Sequence, residues 1–242
     1  MLLDGRRPWR VEVVEQSGST NAELAAKVRG GGAGEYAVLV ALDQPSGRGR
    51  LSRSWTMPPG EGLAISLALP LGADCSHWGL VPLAAGVAVV RAVADLGVEA
   101  RLKWPNDVLV GARKLCGILA EVVEGLAVVG IGVNVLQSED SIFPSGVSLA
   151  MAGADVSREQ VVAAVLNHVA KLWGGLADEG WPSLLPAYRT VCATLGQSVR
   201  IYADEQTHVE GQAIDIADDG RLLVQVADQI IPFASGDVYH LR

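Results

Sequence analysis

Residues 101–121, Arg-Leu-Lys-Trp-Pro-Asn-Asp-Val-Leu-Val-Gly-Ala-Arg-Lys-Leu-Cys-Gly-Ile-Leu-Ala-Glu, constrain the fold more than any other stretch. Apolar runs at 108–110 and 115–123 flank Gly111-Ala112, so the segment folds back as a hairpin with its turn at the glycine. Lys103, Asp107 and Lys114 interrupt those runs with charge. Folded back, they place one carboxylate and two ammonium groups around a shared surface suited to an anion. For any one of these lysines by itself, a solvated hairpin is the competing reading.

Three upstream and downstream segments carry related chemistry. Ser19-Thr20-Asn21 opens a helix predicted over 20–29, with Thr20 and Glu23 at capping-box spacing. A buried strand over 37–42 runs into Asp43-Gln44-Pro45-Ser46-Gly47-Arg48-Gly49-Arg50-Leu51-Ser52-Arg53-Ser54-Trp55. There the glycines allow close backbone approach, and Arg48 and Arg50 offer forked donors to phosphate or carboxylate oxygens. Residues 128–135 form a strand punctuated by Gly130 and Gly132 and ending near Asn134.

These four segments, in this order over residues 19–134, resemble the biotin protein ligases, with Lys-Trp-Pro-Asn-Asp and Lys-Leu-Cys-Gly-Ile-Leu as the most specific words. The resemblance implies an α+β fold: a class II synthetase-like catalytic domain over 1–194, with a mixed, largely antiparallel sheet, then an SH3-like β barrel over 195–242. It implies ATP-dependent activation of biotin as biotinyl-5′-AMP, with Mg²⁺, and transfer to a lysine of a biotin carboxyl carrier domain. Biotin would be lined by Ser19, Thr20, Asn21, Gln44, Gly47, Arg48, Lys114, Gly117 and Ile118, with Gly130 and Gly132 leaving it room. Arg48, Arg50, Trp55, Lys103, Asn106, Lys114 and Asn134 would face the nucleotide. Lys114 would lie against the acyl carboxylate and α-phosphate, and the loop 47–54 would also act as a lid. Asp107 is nominated either to assist the acceptor lysine or to pair with Lys103 or Lys114. An adenine cover is expected between 136 and 149, where Phe143 is the only aromatic. Leu51-Ser52 before Arg53 departs from the family's usual run of basic and glycine residues. A lipoate or octanoate ligase or transferase of the same fold is the alternative. Its transferase branch needs a nucleophilic cysteine, and Cys116, in an apolar strand, makes a poor thiolate.

Remaining features limit the function classes. The net charge of −8 opposes general nucleic-acid affinity. Arg48, Arg50, Arg53, Lys103, Arg113 and Lys114, 6 of 19 basic residues, gather at the proposed site and favour a small anion. The apolar stretch 80–98, interrupted by Arg91 and Asp95, reads as a buried helix and not a membrane span. Cys75, Cys116 and Cys192 are odd in number and widely spaced, which suggests reduced thiols. With no apolar core around Arg6, Arg7 and Arg10, a cytoplasmic enzyme is expected, in the short form lacking a helix-turn-helix domain. Further helices are predicted over 79–96 and 157–173, and strands over 11–14, 63–69 and 126–135. Consecutive strands from 108 to 135 imply antiparallel pairing without a dinucleotide-type crossover. Short strands at 199–202, 209–216, 222–226 and 229–232, divided by Asp204-Glu205 and Asp218-Asp219-Gly220, compose the C-terminal barrel. His77, His168, His208 and His240 are too scattered to form a ligand set.

Overall fold

Gly111 takes φ 59°, as the turn between the two apolar runs requires, and the strands on either side pair antiparallel. The computed structural model describes residues 9–51, 53–71, 75–202 and 207–241. In chain order the first body contains β1 (Arg10–Gln16), α1 (Thr20–Arg29), β2 (Ala37–Asp43), β3 (Gly47–Arg48), β4 (Ser54–Trp55), β5 (Gly62–Pro70) and α2 (Val81–Asp95). It continues through β6 (Arg101–Lys103), β7 (Asp107–Val110), β8 (Arg113–Val123), β9 (Leu126–Asn134), α3 (Arg158–Glu179) and α4 (Leu184–Val191). Seven strands form one mixed sheet in the order β1-β2-β5-β9-β8-β7-β6. Every neighbouring pair is antiparallel except β1 and β2, which are parallel. That exception is a crossover through α1, since two strands separated by a helix cannot close as a hairpin.

Strand β2 shows how the sheet divides its two faces. Ala37 and Leu39 pack with Leu24, Ala25 and Val28 of α1, whereas Val38 and Val40 join the larger core on the other side. Covered on both faces, β5 is buried from Gly62 to Leu69 and shows no polar alternation. The α2 helix is apolar on most of its circumference, with Arg91 and Asp95 exposed, because it lies between the sheet and α3. The segment His77–Asp95, α2 with the turn that leads into it, is long and apolar enough to cross a membrane but is 67% buried inside the protein.

Local signals placed the helix ends unevenly. The α1 cap is Ser19, one residue before the predicted Thr20: its hydroxyl accepts from the Ala22 amide, while Glu23 Oε1 accepts from the Gly18 amide. Thr20 is thereby released for other contacts. A true capping box sits at Ser157 and Gln160 and starts α3, which runs past Gly174-Gly175 to Glu179 because Trp173 and Leu176 bury their side chains. The short α4 and the edge strand β6 were not predicted. Each is too brief to show a period.

A second sheet of five antiparallel strands follows: β10 (Ser198–Tyr202), β11 (His208–Ile216), β12 (Leu222–Val226), β13 (Gln229–Phe233) and β14 (Asp237–His240), ordered β13-β12-β11-β10-β14. The expected turn at Asp204-Glu205, like Arg6, Arg7 and Ser52, falls outside the described residues. Val199, Ile201 and Val224 join the same apolar cluster as α2 and Tyr188. Trp104, 1% exposed, ties the two sheets together: its backbone amide donates to Thr194 Oγ1 at 3.1 Å and its Nε1 to the Gly220 carbonyl at 3.0 Å. Burial of an indole with its N–H satisfied makes this junction worth several kcal/mol, about 3–5 on truncation to Ala. Cys116 and Cys192 are free and buried.

Candidate functional site

The β7–β8 hairpin sets the charged floor of the site. Register places Lys103 opposite Asp107 and Asp107 opposite Gly117. A bulge at Val108/Leu109 then lets Lys114 and Gly117, three residues apart, point to one face where a regular strand would separate them. Lys114 Nζ lies 2.7 Å from Asp107 Oδ1 and 5.4 Å from the Trp55 ring centroid. Lys103 Nζ stands 5.6 Å from the centroid of Tyr239. Burial pulls the Lys103 ammonium below the usual lysine range, against the opposing attraction of Asp107. Arg50 is lowered in the same way by burial, with Asp237 and Asp107 opposing. It donates to Asn106 Oδ1 at 3.1 Å, and Asn106 Nδ2 in turn donates to the Ile118 carbonyl at 2.9 Å.

The opposite end of the cavity is neutral and closely hydrogen-bonded. Gln44 Oε1 accepts from the Thr20 amide at 2.9 Å and from Thr20 Oγ1 at 3.2 Å. Ser66 Oγ donates to Thr20 Oγ1 at 2.8 Å and lies 3.2 Å from Asn21 Oδ1. Asn21 Nδ2 donates to Glu121 Oε2 at 2.6 Å. The result is one cavity with a polar, uncharged end and a cationic end. Residues of β3, β4 and the turn between them, Arg48, Arg50, Arg53 and Trp55 included, line one side of it.

Each predicted site residue except Gly47 and Asn134 lines this cavity. Gly47 supports it from behind, where a side chain would collide with the Gln44 amide and the Trp55 carbonyl. Asn134 is 1% exposed, and its Nδ2 donates to the carbonyls of Lys114 and Val147 while its Oδ1 accepts from Gln137. Its side chain therefore pins the 136–149 segment to β8 and does not face the cavity. That segment stays outside the lining, with Phe143 edge-on to Trp55 at 6.3 Å. The two glycines of β9 leave room for protein groups. A methyl on Gly130 would stand 2.8 Å from Asn21 Oδ1, and one on Gly132 would collide with the Trp55 indole. Trp55 Nε1 is buried without a hydrogen-bond partner among the described residues.

Four contributors were missing from the sequence reading. Ser66 and Glu121 organise the neutral end, while Asp237 and Tyr239 reach the cationic end from β14. None of the site residues named from the sequence lies in the second sheet, so the reach of β14 into the cavity adds to that reading. Asp237 forms a two-pronged ion pair with Arg53, fastening the β3–β4 loop to the second sheet. Ser66 was findable as the one hydroxyl in an otherwise apolar strand; the other three occupy ordinary surface-strand patterns. Cys116 lies beneath the site, fully buried, with its thiol pushed far up by desolvation, so no thiolate nucleophile is available from it.

Comparison with known proteins finds a family likeness in both parts of the chain. Residues 13–137 match the Biotin/lipoate A/B protein ligase family, and residues 194–241 match the Biotin protein ligase C terminal domain. The chain is 37% identical to the biotin–[acetyl-CoA-carboxylase] ligase of Mycobacterium tuberculosis, covering 100% of this chain and 93% of that protein. It is 32% identical to the enzyme of the same name from Paracoccus denitrificans, covering 92% and 98%. Among solved structures, the biotin protein ligase from Aquifex aeolicus in complex with biotin and ATP superposes with a TM-score of 0.82 at 26% identity, covering 96% of this chain and 99% of that one.

Proposed function

The chain belongs to the biotin/lipoate A/B protein ligase family and is a biotin ligase, and we propose that it joins biotin to ATP at the two-ended cavity and passes the biotinyl group to a carboxylase's carrier domain. The observation that carries this reading is the pairing, in one cavity, of the neutral Thr20, Asn21 and Gln44 end with the Arg48, Arg50, Lys103 and Lys114 end. A ureido ring has donors and acceptors for the first. A carboxylate approaching a triphosphate needs the positive charge of the second.

In the first step a biotin carboxylate oxygen forms a bond to the α-phosphorus while the bond to the β-phosphate oxygen breaks and pyrophosphate leaves. Two anions meet, so the protein's contribution is charge neutralisation and alignment. Lys114, held 2.7 Å from Asp107 beforehand, is placed to turn toward the reacting oxygens; Arg48 and Arg50 cover the phosphates. Mg²⁺ enters as part of the MgATP substrate. Among the described residues no cluster of three possible ligands would form a protein cage for it, which suits an ion held mainly by phosphate oxygens and water.

In the second step the carrier lysine's amine attacks the acyl carbon, the bond to AMP breaks, and the amine must lose its proton. When Lys114 turns to the acyl phosphate, the Asp107 carboxylate is left open as the acceptor. Closure of the β3–β4 loop excludes water from the acyl-adenylate in the interval. We place the catalytic unit at 1–194 and the barrel at 195–242, the latter contributing Asp237 and Tyr239. A lipoate ligase reading is disfavoured by the neutral end, since a dithiolane ring has neither an N–H nor a carbonyl to offer its polar groups.

Incubating the purified chain with biotin, MgATP and a biotin carboxyl carrier domain tests the assignment. A mass increase of one biotinyl group on the carrier, with pyrophosphate release that depends on biotin, is the expected result. Biotin-independent release with no carrier labelling would overturn it.

A further inference from the structure

Glu121 sits on β8 two residues beyond Leu119, outside the cavity lining, yet its carboxylate meets the site from both ends. One oxygen, Oε2, accepts from Asn21 Nδ2 at 2.6 Å and stands 3.7 Å from Arg48 Nη2. The sheet register explains the reach: Leu119 pairs with Gly130 and Glu121 with Val128, so the side chain of Asn21, lying over the bare Gly130 backbone, is diagonally adjacent. No side chain at position 130 stands between them.

This contact decides which atom of Asn21 a ligand would meet. A carboxylate only accepts, so it commits the Asn21 Nδ2 edge to itself and turns Oδ1 the other way. On that side Ser66 has a single hydroxyl proton for two acceptors, Thr20 Oγ1 at 2.8 Å and Asn21 Oδ1 at 3.2 Å. The shorter bond takes the proton, and it extends a chain from Ser66 through Thr20 to Gln44 Oε1. Asn21 Oδ1 is left with accepting capacity, on a residue that lines the neutral end of the cavity.

We propose that Glu121 is a positioning residue that locks the Asn21 amide as an acceptor for an N–H of the ligand's ring and couples this end of the site to Arg48 of the β3–β4 loop. The inference rests on the biotin reading of the cavity, whose ureido ring supplies such an N–H. Without Glu121 the Asn21 amide is free to turn its NH₂ toward the ligand, replacing an attraction by an unpaired donor.

The test is biotin-dependent pyrophosphate exchange with wild type, Glu121→Ala and Glu121→Gln, reading KM for biotin, KM for ATP and kcat separately. Gln retains an acceptor for Asn21 Nδ2 but loses the charge facing Arg48. Glu121→Ala is expected to raise KM for biotin about tenfold with a smaller change in kcat, while Glu121→Gln stays within roughly threefold of wild type. In an Asn21→Ala background, the Ala change at 121 should add almost nothing to the biotin KM, a non-additivity that a general packing role would not produce. Glu121→Met, which fills the volume without an acceptor, takes the place of the Ala variant should that one fail to fold. An unchanged biotin KM in the Ala or Met variant, or an equal loss in the Gln variant, overturns the proposal. Wild type inactive with biotin would overturn the functional assignment instead.

Discussion

Lys114 Nζ and Asp107 Oδ1 stand 2.7 Å apart across the hairpin, with the Trp55 ring beside the ammonium. The pair holds the lysine ready at the site in a defined place. It also gives the carboxylate a partner that it loses when the lysine turns to a ligand.

Replacing Lys114 with Met should lower the rate of biotin-dependent pyrophosphate exchange by about 10- to 150-fold, the loss of a charge-assisted contact worth roughly 1.5–3 kcal/mol, and by more if that contact tightens in the transition state. Because Asp107 is left partly buried and unpaired, a small drop in thermal midpoint is expected too. Exchange at the wild-type rate would remove Lys114 from the chemistry.

Asp107→Asn separates the two steps. If this carboxylate takes the proton from the carrier lysine, single-turnover transfer from preformed adenylate should slow by about 10²-fold or more, with the deficit shrinking as pH rises and more of the acceptor amine is already neutral. Pyrophosphate exchange should fall less. Equal losses in both steps at all pH values would assign Asp107 to holding Lys114 alone.

Arg50→Gly removes the donor to Asn106 from the loop over the site. The acyl-adenylate should then escape and label lysines on bystander proteins, detected by blotting a mixture that contains a non-carrier protein. Retention as tight as in wild type would contradict the lid role.

Lipoate should support pyrophosphate release far more slowly than biotin, by up to about 10⁴- to 10⁵-fold, because a dithiolane ring has neither an N–H nor a carbonyl to meet the polar groups of the neutral end. Comparable kcat/KM values for the two acids would be incompatible with the substrate assignment.

The second sheet should prove inseparable from the first. A chain ending at Thr194 uncovers Trp104 and the core shared with Val199 and Val224, so it is expected to lose stability and not simply carrier transfer. The cleaner probe is Asp237→Asn in the full chain, which frees Arg53 and should raise KM for ATP or weaken adenylate retention with the fold intact. A stable, fully active truncation would show the barrel to be an appendage.

Much of this site could be read directly. Lys103, Asp107 and Lys114 were placed together from a turn glycine and two apolar runs, and 37–42, 115–123 and 126–135 fell within a residue or two of β2, β8 and β9. The cap at Ser19 was displaced by one residue, because Ser and Thr both qualify and only the backbone decides which hydroxyl faces the first free amides. Gly130 and Gly132 announced close approach without revealing that Asn21 and Trp55 are what approach.

The sequence by itself determined the local chemistry: which segments are strands and helices, where the cations cluster, and which family the ordered segments resemble. These follow from side-chain period, turn residues and short-range spacing, which act between neighbours in the chain. Only the tertiary structure decided that Asp237 would meet Arg53 across 184 residues, that Asn134 would turn inward to pin a loop, and that Glu121 would reach Asn21. Such pairings depend on sheet order and on how Trp104 docks the second sheet, and a single charged residue on a short strand carries no mark of the partner that packing will bring to it.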